Sequence, residues 1–360
     1  MDIHRWVIGG VKNERVMARV AFFQNLSEHK LAQPPNFLFF LRFGLLVFIL
    51  PLESRAETPP LVKSEPMLVP ATKGKFDYLQ VDEQFHRLLA NHTGNGTLDV
   101  FDLPDGKLRQ TVAIGAAQDV AIDTERNKYY VTVSDRSNLT IVDRQTLKVE
   151  GGVPLPGAPD GCAYDSKNGL AYVDHGDGED VWVVDPGARR IVATIKVPKA
   201  PEFILYDPAS DRIYQNIKSK PVTLAIGPAV NSVIETWSTE PAESPHGLAI
   251  NPETHRLFSA GGNGKLSVLD SVSGNVVTSA EIMSGVDQIA FDPANKRIYC
   301  ASGRSGLSVL EETADGLRLL GNIATPGGAH TLALDPATHA VWIAYAKENE
   351  SFVCKLSVPQ

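Results

Sequence analysis

The sequence predicts an all-β protein, a single seven-bladed β-propeller of four-stranded blades closed by an N-terminal strand. Seven similar repeats of about 42 residues point to a solenoid or a propeller. Each repeat reads as a strand, a tight turn and another strand. Stretches with helical periodicity are absent after residue 56, which excludes the helical solenoids that share this repeat length.

A turn acid or amide marks every repeat, as in "AYDSKNGLAYV" and "AFDPANKRIYC". Asp or Asn at the start of a turn accepts hydrogen bonds from backbone N–H groups, and a following Pro presets φ. Each marker therefore predicts the hairpin between the first two strands of a blade. The markers lie 41 to 44 residues apart, at Asp82, Asp123, Asp165, Asp207, Asn251, Asp292 and Asp335.

The third and fourth strands of the blades follow in segments such as "LSVLD" and "RIVATIKVP". The last repeat ends at Gln360 after its third strand, and "PMLVPATKG" at 66–74 resembles the fourth-strand ending "TIKVPKAPE" at 194–202. The N-terminal segment is therefore expected to complete the last blade and close the ring. This assigns 57–66 to a linker and 67–360 to the propeller.

The first 56 residues are predicted to be a leader with a signal peptide. An apolar h-region spans about 36–51, and Ser54-Arg55-Ala56 has the small-x-small pattern of a cleavage site. The apolar stretch is short for a spanning helix and contains Arg42. We expect cleavage after Ala56, an exported (periplasmic or extracellular) protein, and no stable membrane span in the mature form; a retained anchor is the alternative.

Charge and cysteine content limit the partners. From residue 57 onward the chain has 27 basic and 38 acidic residues, a net charge of −11, which disfavours polyanions such as nucleic acids. The partner is expected to be a small ligand or a protein, and the propeller a monomer. Cys162, Cys300 and Cys354 each lie in an apolar run and are expected to be buried free thiols.

The repeats resemble a known family. Their consensus "D-P-x-(T/N)-x-(R/H)-(I/L/V)-(Y/F/W)", followed by "(S/T)-V-(L/V/I)-D", and the segment "YYVTVSD" at 129–135 are similar to the YVTN-type, YncE-like β-propellers. The resemblance covers about residues 67–360 and implies the propeller fold. It implies little about activity, since members of this family have been linked to scaffolding and to nucleic-acid binding.

One column of the repeat carries the candidate binding residues. The position five residues before each marker is Asp, Glu or His in six of seven blades, more than chance would give. These side chains are expected at the channel mouth, on the face where functional loops gather. They are Asp77, Gln118, Asp160, Glu202, His246, Asp287 and His330.

The column allows four interpretations. His246, His330, Asp77 and Asp287 have the ligand types that suit one divalent transition-metal ion. The four carboxylates Asp77, Asp160, Glu202 and Asp287 instead suit calcium. The third interpretation is that these side chains cap the backbone N–H groups of their own loops. The fourth is that they contact an organic ligand directly.

Two further histidines, His92 and His175, are placed by the pattern in loops on the same face, where they extend the binding surface or are solvated loop tips. His86, His255 and His339 follow the turn markers and are expected on the opposite face. The recurring second-strand aromatics are expected to pack between blades. They are Tyr130, Tyr172, Tyr214, Phe258, Tyr299 and Trp342.

The sequence lacks G-x-S-x-G, a phosphate-binding G-x-x-x-x-G-K-[ST], H-E-x-x-H and C-x-x-C. The leading hypothesis is therefore a non-enzymatic binding or scaffold propeller with its site at the channel mouth. The alternative is a metal-dependent hydrolase of lactone or ester type, with an ion in the channel. Nucleic-acid binding ranks third, because it conflicts with the charge.

Overall fold

The computed structural model describes residues 58–304 and 306–359. The predicted h-region and the cleavage site after Ala56 lie outside them. The described chain is built from β-strands, with one short 3₁₀ helix at Ser134–Arg136. No helix in this part of the chain is long and apolar enough to cross a membrane.

The strands form seven antiparallel sheets, which confirms the predicted seven-bladed propeller. The first strands of neighbouring blades contact one another and surround the channel. Blades 1 to 3 are β3 (Leu79–Asp82), β4 (Arg87–His92), β5 (Thr97–Asp102), β6 (Lys107–Ala113); β7 (Ala117–Asp123), β8 (Lys128–Val133), β9 (Asn138–Asp143), β10 (Val149–Pro154); and β11 (Pro159–Asp165), β12 (Leu170–His175), β13 (Asp180–Asp185), β14 (Arg190–Lys196).

Blades 4 to 6 repeat the same order of four strands. They are β15 (Pro201–Asp207), β16 (Arg212–Ile217), β17 (Val222–Gly227), β18 (Ser232–Ser238); β19 (Pro245–Asn251), β20 (Arg256–Gly261), β21 (Lys265–Asp270), β22 (Val276–Glu281); and β23 (Val286–Asp292), β24 (Arg297–Ser302), β25 (Gly306–Thr313), β26 (Gly316–Ile323).

Blade 7 contains both ends of the propeller. Its first three strands are β27 (Thr331–Asp335), β28 (Ala340–Lys347) and β29 (Glu350–Ser357). Two N-terminal strands, β1 (Val62–Lys63) and β2 (Met67–Val69), pair with β29, so the predicted N-terminal closure is confirmed. The segment 57–66 is not entirely a linker, because β1 lies within it; a two-residue strand is too short to leave a periodic signal.

Every first strand ends on its turn marker. In blade 3, Asp165 accepts hydrogen bonds from the backbone N–H groups of Lys167 at 2.9 Å and Asn168 at 3.1 Å. The marker in blade 7, Asp335, accepts one from Ala337 at 3.1 Å. These bonds give hydrogen-bond acceptors to backbone N–H groups of the turn that have no partner in the sheet.

The core consists of apolar layers between adjacent blades. Leu89 and Val100 of blade 1 pack against Val120 and Val131 of blade 2, and all four are buried. The six second-strand aromatics named above are buried too, as predicted. All three cysteines are buried and unpaired, which confirms the expectation of free thiols.

The first strands of blades 2 to 6 share one irregularity. In blade 3, Pro159 pairs with His175 and Cys162 with Val173, so three steps along β11 match two along β12. The equivalent bulge occurs in β7, β15, β19 and β23. A bulge adds one residue to a strand, bends it and changes the direction of a side chain.

A buried amide joins three blades at the channel. Oε1 of Gln288, in blade 6, accepts hydrogen bonds from the backbone N–H groups of Leu79 in blade 1 at 3.2 Å and Leu332 in blade 7 at 3.0 Å. Its Nε2 donates to the carbonyl of Leu79 at 3.0 Å. Blade 6 is thereby linked to blade 1 across the closing blade.

Two neighbouring residues of β2 provide a test of the closure. Val69 is fully buried and Leu68 is 49% exposed. We expect Val69→Asp to lower the free energy of unfolding by about 3 kcal/mol or more, because it buries an unpaired charge. Leu68→Asp, the matched control, should cost less than about 1 kcal/mol. Urea unfolding measures both, and equal losses would contradict the closing role of β2.

Candidate functional site at the channel mouth

The bulges position the column of candidate residues. Gln118, Asp160, Glu202, His246 and Asp287 each lie inside the bulge of their first strand. In blades 1 and 7 the column residues Asp77 and His330 lie just before β3 and β27. In blades 2 to 6 the local irregularity therefore turns one polar side chain per blade toward the channel.

All seven column residues line two adjoining cavities of about 370 and 630 Å³. Glu202, Lys218, Asp287 and His330 belong to both, so the cavities form one mouth. His175 also lines the smaller cavity. The mouth has five carboxylates and three cationic side chains, which are Asp77, Asp160, Asp177, Glu202, Asp287, Lys75, Lys218 and Arg304.

The carboxylates of the mouth are close enough to shift one another's pKa values. Burial, followed by repulsion from Asp160 and Asp287, raises the pKa of Asp77 well above its usual value. Burial and repulsion from Glu202 and Asp287 raise the pKa of Asp160 to about 8. At neutral pH Asp160 therefore retains a proton that an aspartate in water has lost.

Asp287 has the opposite shift. Burial alone would raise its pKa, but the hydrogen bond from His330 and the electrostatic interaction with that ring lower it overall. Nδ1 of His330 lies 2.5 Å from Oδ2 of Asp287, and the two side chains belong to adjacent blades. Asp287 therefore ionises more readily than Asp77 and Asp160, whose pKa values are raised.

Lys218 is a site residue that the column analysis did not identify. Its Nζ lies 2.5 Å from Oε2 of Glu202. The side chain of Glu202 is only 8% exposed. Lys218 follows β16 directly, where blades 3, 5 and 6 have Gly176, Gly262 and Gly303. A lysine in place of this glycine was visible in the divergent segment "NIKSK". Comparing the loops after the second strands, rather than the column before the turn markers, would have identified it.

His246 is held in a defined tautomer. Its Nδ1 lies 2.7 Å from the carbonyl oxygen of Ser244, which can only accept, so Nδ1 carries the proton. In the neutral ring Nε2 then has a free lone pair, and it lies 3.9 Å from Oε1 of Glu202. This atom faces the carboxylates of the mouth.

The structure regroups the predicted metal ligands. Among the described residues, Glu202, His246 and Asp287 have ligand atoms that all lie within 4.8 Å of one another. Asp77 is outside this group, and His330 contacts Asp287 instead. The four carboxylates proposed for calcium do line one cavity. Capping of a neighbouring N–H is seen for Asp77, whose Oδ1 accepts from Tyr78 at 3.1 Å.

His92 does not belong to the mouth. It is the last residue of β4 and is fully buried, contrary to the loop position predicted for it. Its Nδ1 lies 2.7 Å from Oδ2 of Asp99, and its Nε2 lies 3.0 Å from Oγ of Ser351. This is the order of groups in a catalytic triad, but all three residues have 0% exposure, so no substrate reaches them. The hydrogen bonds join blade 1 to blade 7.

His175 is half-buried at the end of β12. Its ring stacks on Trp182 with centroids 4.8 Å apart, and its Nδ1 lies 3.8 Å from Oδ2 of Asp180. It is therefore neither buried like His92 nor the freely solvated tip that was one prediction. It forms a wall of the smaller cavity.

No protein-family model and no curated protein matches the sequence. Solved structures with a similar fold include Kuenenia stuttgartiensis hydrazine synthase (TM-score 0.66, 14% identity, 80% of this chain and 98% of that one). A streptogramin B lyase matches with a TM-score of 0.68 and 12% identity over 83% of this chain and 98% of that one. A chain of the mitotic checkpoint complex matches with a TM-score of 0.71 and 15% identity over 87% of this chain and 99% of that one. Likeness at such low identity shows the fold alone.

The raised pKa of Asp160 predicts a pH-dependent stability. Between about pH 4 and pH 8 the folded protein keeps a proton on Asp160 that the unfolded chain releases, so the free energy of unfolding should fall as pH rises. Asp160→Asn should reduce this loss by more than about 1 kcal/mol, since one pKa unit is worth about 1.4 kcal/mol. Urea unfolding of both proteins at pH 5 and pH 8.5 measures the difference. An equal loss of unfolding free energy between the two pH values in wild type and Asp160→Asn would contradict the prediction.

Proposed function

We propose that this protein is a binding propeller that takes a small cationic ligand at its channel mouth. The observation that carries the proposal is the surplus of carboxylates there. Five carboxylates face three cationic groups, and only Lys218 makes a close ion pair, with Glu202. Lys75 is 65% exposed, and its Nζ is 3.8 Å from Asp77.

Burying like charges is unfavourable unless a proton or a cation compensates them. In the free protein, a proton on Asp160 and the ammonium of Lys218 supply that compensation. A bound cation would supply it instead and would release protons. The site is therefore suited to cations and unfavourable for phosphates, which supports the low rank of nucleic-acid binding.

The fold supports a binding or scaffold role in general terms. Solved structures with this fold include a lyase and a checkpoint complex, so the architecture serves both catalysis and assembly. The metal-dependent hydrolase hypothesis requires an ion in the same mouth. It stays a prediction, which stoichiometric binding of a metal ion at the mouth would support.

Thermal unfolding with added ions tests the proposal. We expect calcium and putrescine to raise the melting temperature of the wild type, because both bind the folded mouth, and sulfate to have no effect. The double variant Asp160→Asn with Glu202→Gln should lose most of this response. Glu253→Gln, an exposed carboxylate outside the mouth, is the matched control. Stabilisation by sulfate, or an equal response in the double variant, would contradict the proposal.

We also propose that the protein is exported and that its repeats are of the YVTN type. The support for export is the h-region at about 36–51, followed by Ser54-Arg55-Ala56. The support for the repeat type is the repeat consensus and the segment "YYVTVSD" at 129–135. Expression of the full chain should give a mature protein whose N-terminal sequence begins at Glu57. An intact Met1 on the protein, or its recovery only from the cytoplasm, would contradict export with cleavage.

A further inference from the structure

We infer that Glu202, His246 and Asp287 bind one divalent transition-metal ion, and that Lys218 competes with that ion for Glu202. The inference rests on the proposed function, because it identifies the cation and its ligands within the same mouth. It replaces the four ligands that the sequence suggested with three that the geometry brings together. The ligands come from three successive blades.

The donor atoms favour a transition metal over calcium. One imidazole nitrogen and two carboxylate oxygens lie within 4.8 Å of one another. Nitrogen together with carboxylate oxygen suits zinc, cobalt or manganese, whereas calcium prefers oxygen alone. Three protein ligands would leave a coordination position open toward the cavity.

Two of the ligands are already oriented by outer contacts. The carbonyl of Ser244 holds the proton of His246 on Nδ1, which leaves Nε2 as the donor. His330 contacts one oxygen of Asp287 at 2.5 Å. Such contacts fix ligand orientation and tautomer in metal sites. The bulges of β15, β19 and β23 place the three ligands on rigid inner strands.

The third ligand is engaged by a lysine in the free protein. Glu202 is 8% exposed, and Nζ of Lys218 lies 2.5 Å from its Oε2. A metal ion must displace this ammonium or share the carboxylate with it. Lys218 is 37% exposed at the end of a flexible stem, so it can turn to solvent when the ion arrives. Lys218 therefore lowers metal affinity without preventing binding.

The glycines beside the site leave room for the ion. A Cβ at Gly303 would lie 3.0 Å from Cβ of His330, and a Cβ at Gly262 would lie 3.7 Å from Cε1 of His246. A side chain at Gly303 would therefore crowd His330, whereas one at Gly262 would make an ordinary van der Waals contact with His246. Both glycines line the larger cavity together with Glu202, His246 and Asp287.

Cobalt titration tests the inference, with binding followed by calorimetry and by the visible absorption of the bound ion. The proteins are wild type, His246→Gln, Lys218→Met and the control His255→Asn. His255 is exposed on the opposite face at φ 53°, where Asn is tolerated. We expect one ion per wild-type chain, at least about tenfold weaker binding in His246→Gln, and about tenfold tighter binding in Lys218→Met. The control should equal the wild type.

The outcomes separate this inference from the proposed function. Unchanged cobalt affinity in His246→Gln, or weaker affinity in Lys218→Met, would overturn the metal assignment. If calcium and putrescine still stabilise the protein in that case, cation binding at the mouth stands. If no cation binds, both proposals fail. Lys218→Met keeps the test decisive should His246→Gln not fold, because a gain in affinity requires a folded site.

Discussion

The candidate site depends on one backbone constraint, the extra residue in the first strand of blades 2 to 6. A regular strand would alternate its side chains between the two faces of the blade. The bulge interrupts that alternation at Asp160, Glu202 and their equivalents, and directs a polar side chain to the channel. Because the bulge recurs at the same register, each of these blades places one residue at the equivalent point of the mouth. The type of that residue differs from blade to blade, while the backbone geometry stays the same.

Sequence reasoning succeeded where a feature repeats. The turn markers, the aromatic layer and the column at the mouth recur every 41 to 44 residues, so period alone identified them. It failed at singular features. Lys218 occupies a position that is glycine in three other blades, β1 is two residues long, and His92 ends a strand rather than lying in a loop. Such features follow from contacts between blades, which one repeat does not reveal.

Similar residue types have different roles in this protein because their exposure differs. His92, Asp99 and Ser351 have the distances of a catalytic triad, yet they are sealed between two blades and serve only to join them. His330 and Asp287 make a comparable contact, but they are 20% and 25% exposed and face a cavity. Access to solvent, rather than the hydrogen-bond pattern, distinguishes a structural cluster from a chemical one.

The three-blade contact of Gln288 has a consequence for how the ring fails. The closing blade is held at its outer edge by β1 and β2 on β29, and strand ends of this kind fray readily. At the hub, Gln288 bonds blade 6 directly to blade 1 and bypasses that edge. Loss of the pairing of β1 and β2 with β29 is therefore a separate event from loss of the contacts between blades at the channel. The mouth lies at the channel, so it can keep its shape while the outer strands of the closing blade open locally.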